Sequence, residues 1–222
     1  MERNKNKRKY LENFNPGVCE LSECKHQDFL LEEFNAGDEF QQFNEFIIHE
    51  ARDYAEDGNG VTYVVFNELI DEEQTVIGKE VVAFYTLAAT SIPYEDRIRL
   101  DEEEAKTFGR EFDVQICGIP SIELKMFAVD VKYQDLFYIY EGEELPIAAW
   151  VIKSIIHQAQ KMLVCTLGFK ALLLHTLPTA KIFYEKNGFH MIKPNMHPLH
   201  GVDSDLDAMY VTFRNVAMNY EK

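Results

Sequence analysis

Residues 169–189 read FKALLLHTLPTAKIFYEKNGF, and this stretch decides the fold that we predict. Its first third, from Ala171 to His175, is apolar with almost no interruption and holds no turn residue, which is typical of a strand buried on both faces. Pro178 follows, and proline is favoured in the first turn of a helix. Asn187-Gly188 can end that helix, because glycine readily takes the left-handed conformation. The stretch therefore predicts a strand, a short helix and a second strand that opens at Phe189.

The helical part of this stretch resembles a known signature. Its residues, with Ala180, Phe183-Tyr184 and Gly188-Phe189 at the matching positions, are similar to the A-x-x-F-Y-x-x-x-G-F pattern of the GNAT (Gcn5-related) N-acetyltransferase superfamily. Four earlier blocks resemble the family in the same order: Phe34–Gly37, Thr62–Val65, Val82–Leu87 and Ile122–Asp130. Their order is that of the branch that includes tRNA-acetylating toxins, and the likeness covers roughly residues 29 to 214.

The resemblance implies an α/β (α+β) fold, in which a mixed central sheet of six to seven strands is flanked by helices. It also implies an N-acetyltransferase that moves an acetyl group from acetyl-CoA to an amine of a small molecule or peptide by direct attack. Two alternatives stay open. One is a GNAT-fold protein that has no CoA-dependent catalysis and acts through protein contacts, and the other is a toxin that acetylates aminoacyl-tRNA.

The resemblance also implies the catalytic residues. Glu123 lies six residues before Val129, where histone-acetylating members of the family carry the glutamate that takes a proton from the amine. A carboxylate beside apolar neighbours suits a general base, and a salt bridge with a neighbouring lysine is the alternative. Tyr184 would give a proton to the leaving thiolate, and its alternative is a helix residue with its hydroxyl in water.

The cofactor contacts implied by the resemblance follow the same strand and helix. Backbone N–H groups from Phe127 through Ala128 to Val129 would bind the thioester and the pantetheine arm. The further cofactor-binding residues are Gln134, Ala180 and Phe183.

One block departs from the family pattern. The superfamily has Q/R-x-x-G-x-G/A after this strand, and its glycines let backbone N–H groups approach the pyrophosphate of coenzyme A. Residues 134–146 read QDLFYIYEGEELP, in which Gln134 fits and Phe137 replaces the first glycine. The remaining glycine is flanked by three glutamates: Glu141, Glu143 and Glu144. We therefore expect acetyl-CoA to bind with weakened phosphate contacts, and a helix to begin with Pro146 in its first turn.

Charge limits the partners that we expect. Of 222 residues, 38 are Asp or Glu and 22 are Lys or Arg, which gives a net charge of −16. The first ten residues hold five Lys or Arg and one Glu, so the remainder carries −20. So acidic a surface repels nucleic acid unless a local basic patch overrides it. We expect acetyl-CoA and an amine acceptor as partners and no nucleic acid, with a homodimer as an open alternative.

Length and hydropathy predict the domain organisation. We interpret residues 1–10 as a basic flexible tail and residues 11–222 as a single acetyltransferase-like domain. No run approaches 18 apolar residues, and no apolar run follows the basic start. We therefore expect a cytoplasmic protein without a membrane span.

Cysteine and histidine spacing predicts neither disulfides nor a metal site. Cys19, Cys24, Cys117 and Cys165 form no C-x-x-C pair, so we interpret all of them as reduced thiols. The one candidate metal segment does not fit a calcium loop. Its polar residues are His197, His200, Asp203, Asp205 and Asp207.

Two long segments complete the prediction. Residues 91–113 include the charge-rich DRIRLDEEEAKTFGREFD, which predicts a solvated helix or a loop over the cleft. Such an acidic segment can select a cationic amine. The following strand, Val114–Val129, is expected to break at Gly118–Pro120, because proline removes a ladder donor.

Overall fold

The computed structural model describes residues 8–24, 31–197 and 205–213. Within these ranges the strands are β1 (Lys9–Tyr10), β2 (Pro16–Glu20), β3 (Val61–Ile70), β4 (Val76–Arg99), β5 (Phe112–Val129), β6 (Leu136–Tyr140), β7 (Glu143–Pro146), β8 (Ala171–Thr176), β9 (His190–Met191) and β10 (Asp207–Thr212). The α-helices are α1 (Gln41–Glu45), α2 (Ala51–Glu56), α3 (Glu102–Phe108), α4 (Val131–Gln134), α5 (Ile147–Cys165) and α6 (Lys181–Lys186). Short 3₁₀ turns lie at Leu31–Glu33, Asp38–Phe40 and Pro178–Ala180.

Seven strands form the main sheet in the order β2-β3-β4-β5-β8-β10-β9, and β1-β6-β7 form a smaller one. This confirms the predicted mixed α+β architecture with a sheet of six to seven strands. No helix in the described part of the chain is long and apolar enough to cross a membrane.

The stretch that decided the fold has the predicted structure. Strand β8 pairs antiparallel with β10, from Ala171 opposite Thr212 to Thr176 opposite Asp207. Its Leu172–Leu174 core is at most 1% exposed, as expected for a strand covered on both faces. The 3₁₀ turn at Pro178 leads into α6, and Gly188 ends the helix with φ of 89°.

The chain divides into two compact units, Met1–Ala88 with Leu124–His157 and Ala89–Glu123 with Gln158–Lys222. Phe84, which is fully buried, lies at the centre of an aromatic cluster in the first unit, with ring centroids 5.3 Å from Phe34 and 6.0 Å from Phe46. In the second unit, Leu173 packs in a cluster with buried Ile92 and Tyr210. The prediction that residues 11–222 form one domain stays a prediction.

The helical region between β2 and β3 is interrupted. Helices α1 and α2 flank a π-helical segment, Phe46–Glu50. The buried side of this helical region includes Phe46, Ile47 and Ala51, which are at most 2% exposed.

The charge-rich segment lies in an extension of β4 and β5. Strand β4 continues to Arg99, and the peptide N–H of Leu100 donates to the carbonyl of Glu111. Between them lies α3, capped by Asp101, which accepts from Glu104 N in a capping box. The predicted helix is therefore present, but it covers only the tip of the segment.

The expected break of β5 at Gly118–Pro120 is wrong. The strand is continuous from Phe112 to Val129. Pro120 has no N–H to donate, but its carbonyl still accepts a hydrogen bond from Lys170 N at 2.8 Å. The strand retains a backbone partner at this residue and does not end there.

The prediction that all four cysteines are reduced thiols is wrong for two of them. Cys19 and Cys24 form a disulfide, because the turn after β2 brings their Cα atoms to 6.7 Å, within disulfide range. Cys117, half-buried, and Cys165, exposed, are free. A spacing of five residues across a turn carries no C-x-x-C signal, so the sequence did not reveal the pair.

Gly17 gives the first testable prediction. It pairs with Phe66 in the β2–β3 ladder, and a Cβ added to Gly17 would lie 2.2 Å from the Phe66 ring. We expect Gly17→Ala to lower the free energy of unfolding by about 1 to 3 kcal/mol, because the ring must move. Urea unfolding checks this against Gly168→Ala, whose added Cβ meets nothing within 4 Å. Equal midpoints for the two variants would show that the Phe66 ring does not fill this space.

Candidate active site

A largely buried carboxylate–imidazole pair joins two strands of the second unit. Glu123 Oε1, on β5, lies 3.2 Å from His175 Nδ1, on β8. The side chains are only 14% and 9% exposed. Glu123 is the predicted general base, and the structure gives it a histidine partner that the sequence analysis did not name.

The tautomer of His175 determines which group donates in this contact. An ionised Glu123 carboxylate only accepts hydrogen bonds, and the tautomer that suits it carries its hydrogen on Nδ1. In that tautomer Nε2 carries no hydrogen. It is buried, and within the described ranges it has no hydrogen-bond partner. A buried polar atom left unpaired costs about 1 to 3 kcal/mol, so the strand holds an atom suited to a further polar group.

Tyr184, the predicted acid, lies on α6, which follows β8 directly. Its ring centroid lies 5.1 Å from that of Phe183 and 5.7 Å from that of Phe189, in edge-on contacts. Burial raises the pKa of Tyr184 to about 12. The hydroxyl therefore stays protonated at neutral pH, which a proton donor requires.

Contacts at its two ends fix α6. Lys181 Nζ lies 3.8 Å from the Asp207 carboxylate on β10. At the other end, Asn187 Nδ2 donates to the carbonyl of Phe183 at 2.8 Å. Ala180 is the last residue of the 3₁₀ turn before the helix. The predicted contacts Ala180 and Phe183 therefore lie on the same short segment as Tyr184.

The other predicted cofactor residues belong to the first unit, where three lie at the end of β5 and one lies in α4. Ala128 and Val129 are buried, and Phe127 is half-buried. Gln134, in α4, donates from Nε2 to the carbonyls of Val129 at 2.9 Å and Ala36 at 3.0 Å. Both amide protons of Gln134 can thus be used within the protein, so its role in the structure is to hold the backbone at the end of β5.

The loop expected between this strand and the next helix is a β-hairpin. Strands β6 and β7 pair antiparallel, from Phe137 opposite Pro146 to Tyr140 opposite Glu143. The turn is Glu141-Gly142, with φ values of 51° and 84°. Such positive φ at both central residues is the geometry of tight hairpin turns. Aromatic and β-branched residues before the turn favour strand over loop.

The hairpin corrects the expectation for two of the three glutamates. Glu143 lies 3.2 Å from Lys153 Nζ, and Glu144 forms an ion pair with Arg8. The expectation that Pro146 lies in the first turn of the helix is wrong, because Pro146 ends β7 and α5 begins at Ile147. The glutamates therefore precede the helix as hairpin residues. Part of their charge is offset by neighbouring cations.

The last residues of the basic start of the chain lie in a strand. Lys9 and Tyr10 pair parallel with Leu136 and Phe137 as β1. The Arg8 guanidinium lies 5.1 Å from the centre of the Phe137 ring. The reason is the hairpin, whose β6 edge offers unpaired backbone groups to a neighbouring strand.

The described residues contain no group of three His, Cys, Asp or Glu side chains that could hold a metal ion. His197, from the segment considered for metal, lies 3.4 Å from Glu95. His200 and Asp203 lie outside the described residues.

Sequence reasoning missed His175. It lies at the end of an apolar strand run and was interpreted as part of that run. A signal was present, because a titratable residue in an otherwise apolar run, three residues before Pro178, is unusual for core packing.

No protein-family model matches the sequence, and no curated protein matches it. Solved structures do match. AtaT complexed with acetyl-methionyl-tRNAfMet is 16% identical, with a TM-score of 0.58 over 93% of this chain and 99% of that chain. AtaTR bound with AcCoA is 17% identical, with a TM-score of 0.55 over 92% and 98%. A tyrosine-to-phenylalanine mutant of KacT is 15% identical, with a TM-score of 0.53 over 92% and 98%.

Proposed function

We propose that this chain, which has the GNAT fold, is an acetyl-CoA-dependent N-acetyltransferase. The observation that carries the proposal is the largely buried Glu123–His175 pair, in the unit that also holds Tyr184. A base for the attacking amine and an acid for the leaving thiolate are the two groups that direct acetyl transfer requires.

In the proposed reaction, the Glu123–His175 pair takes a proton from the ammonium form of the acceptor. The neutral nitrogen then attacks the carbonyl carbon of the thioester. Tyr184 donates its hydroxyl proton to the sulfur as the C–S bond breaks. With a pKa of about 12, Tyr184 is a weaker acid than free tyrosine, so it releases the proton only as negative charge develops on the sulfur.

Acetyl-CoA supplies the activated acetyl group, and we propose that the end of β5 binds it. Backbone groups from Phe127 through Ala128 to Val129 would bind the pantetheine arm. Gln134 would reach the cofactor only through its side-chain oxygen, since its amide protons bind Ala36 and Val129. The AcCoA in the AtaTR structure supports a cofactor of this class.

For the acceptor we propose the amine of a small molecule or peptide. The charge of −16 supports this choice, because it favours cations and opposes polyanions. A second candidate is the α-amine of an aminoacyl-tRNA. That candidate is favoured by the match to AtaT complexed with acetyl-methionyl-tRNAfMet.

Transfer of radiolabel from acetyl-CoA tests the proposal. The probes are methionine amide and methionyl-tRNA, which present the same α-amine with and without tRNA, and spermidine as a cationic amine. We expect label in methionine amide or spermidine. Label in methionyl-tRNA alone would favour the second candidate, and label in none of them would overturn the proposed function.

The charge also gives a prediction for tRNA. We expect no binding of bulk tRNA at physiological salt, because a surplus of sixteen negative charges leaves little gain from counterion release. A gel shift over a series of salt concentrations measures this. A complex that weakens steeply with added salt would contradict the prediction and support a basic patch that overrides the net charge.

A further inference from the structure

The proposed reaction gives no role of its own to the Nε2 atom of His175. Within the described ranges, two buried side-chain atoms have no hydrogen-bond partner, Thr90 Oγ1 and His175 Nε2. A threonine hydroxyl is not a base, whereas an imidazole nitrogen without a hydrogen has a basic lone pair. Of the two atoms, only His175 Nε2 can exchange a proton with a substrate.

The residues around His175 restrict which group can form a hydrogen bond with Nε2. In the ladder with β10, His175 lies opposite Ala208, which has no polar side-chain atom. Along its own strand it follows Leu173 and Leu174, both 1% exposed. The charged group in hydrogen-bond contact with the ring is Glu123, on the opposite nitrogen. None of these neighbours gives Nε2 a hydrogen-bond partner, which leaves the atom for a group that a bound ligand brings.

We propose that His175 Nε2 is the atom that accepts the proton of the acceptor amine, and that Glu123 is a positioning residue that holds the ring. This inference rests on the proposed acetyl transfer and changes the role of Glu123, which the sequence analysis took as the base itself. The ligand class is a primary amine in its ammonium form, whose N–H donates to Nε2. The carboxylate keeps the hydrogen on Nδ1 and stabilises the imidazolium that forms.

The protons and bonds of the proposed reaction balance. One proton moves from the ammonium nitrogen to Nε2, which leaves a neutral amine. The nitrogen forms a bond to the acetyl carbon, the C–S bond breaks with its electron pair on sulfur, and sulfur takes the proton of Tyr184. The surplus proton on the new amide nitrogen returns to Tyr184, and His175 releases its proton to solvent. The products are the N-acetyl amide, the thiol of coenzyme A and one proton.

His175→Asn separates this role from a structural one. The asparagine amide can still donate to Glu123 where Nδ1 did, but it has no basic nitrogen. We expect kcat to fall about 10- to 100-fold with the amine probe that the wild type labels, with KM for acetyl-CoA and the melting temperature nearly unchanged. The matched control is His190→Asn, the same substitution at an exposed residue of β9, which should leave kcat unchanged.

Imidazole ¹⁵N spectra test the positioning role of Glu123 without any activity. We expect the ring of His175 in the full chain to carry its hydrogen on Nδ1, with Nε2 bare. Glu123→Gln removes the negative charge at nearly constant size, so the hydrogen should no longer be confined to Nδ1. Addition of the amine probe with CoA should shift the Nε2 signal, because a donor then occupies it.

The outcomes separate the two proposals. If the wild type acetylates no probe, acetyl transfer fails and the role of His175 fails with it. If the wild type is active and His175→Asn keeps its kcat, the role of His175 alone is overturned. A ring that carries its hydrogen on Nε2 in the wild type also overturns it, because that nitrogen then has no lone pair to accept a proton.

Discussion

Replacing Tyr184 by phenylalanine should lower turnover about 100- to 1,000-fold while the fold stays intact. The substitution removes only the hydroxyl, and the edge-on contacts of the ring with Phe183 and Phe189 do not depend on it. Burial raises the pKa of Tyr184 to about 12, so the wild-type hydroxyl is protonated at every pH at which acetyl-CoA is stable. In the proposed reaction the substitution removes the proton donor, so the loss should appear in kcat with KM little changed.

The measurement is steady-state acetyl transfer to the labelled amine probe, with the melting temperature as a check on folding. Tyr54→Phe is the matched control, because Tyr54 is also a half-buried helical tyrosine with an edge-on phenylalanine neighbour. We expect it to retain full turnover. Turnover of Tyr184→Phe equal to that of the wild type would remove Tyr184 from the mechanism.

Replacing Asp130 by alanine should lower the free energy of unfolding by about 3 to 5 kcal/mol. Asp130 is 2% exposed, and its carboxylate accepts from Asn35 N at 2.9 Å and from Lys132 N at 2.8 Å. Alanine leaves both peptide donors without their charged acceptor in a buried place. The effect is large because each bond to an ionised group contributes more than a neutral one.

Urea unfolding of the two variants Asp130→Ala and Asp135→Ala measures this effect. Asp135 is exposed at the end of α4, so its replacement should change stability by no more than about 0.5 kcal/mol. Asp130→Asn should recover part of the loss, since the amide oxygen still accepts one bond. Equal unfolding midpoints for the two alanine variants would show that the Asp130 bonds contribute little.

Local sequence patterns predicted most of the fold. The apolar run at Ala171 and the Pro178 to Gly188 helix have the predicted structure because each depends on neighbours a few residues away. The hairpin of β6 and β7 was missed for a different reason. The family pattern led us to expect a phosphate loop, whereas the aromatic and β-branched residues in Leu136–Tyr140, followed by Glu141-Gly142, already favoured two strands and a tight turn.

Contacts between residues far apart in the chain could not be predicted from the sequence. Glu123 and His175 are separated by 52 positions, and their contact depends on the strand order in which β5 lies beside β8. The family signature led to Glu123 and Tyr184, each by its own motif. His175 belongs to no motif, so its role became visible only when the buried atoms and their partners were known.

The central claim is that this chain binds acetyl-CoA, although the hairpin of β6 and β7 stands where the family has its phosphate loop. Calorimetric titration of the full chain with acetyl-CoA tests this claim most directly. We expect binding with a dissociation constant of about 10 to 500 µM, since the proposed site would hold the pantetheine arm through strand backbone and the diphosphate only weakly. Removing the 3′-phosphate from the cofactor should change that constant less than about threefold, because no glycine loop is present to hold the phosphate end. Absence of any heat up to about 5 mM acetyl-CoA, well above the usual range for such sites, would contradict the account and favour a GNAT-fold protein that acts through protein contacts.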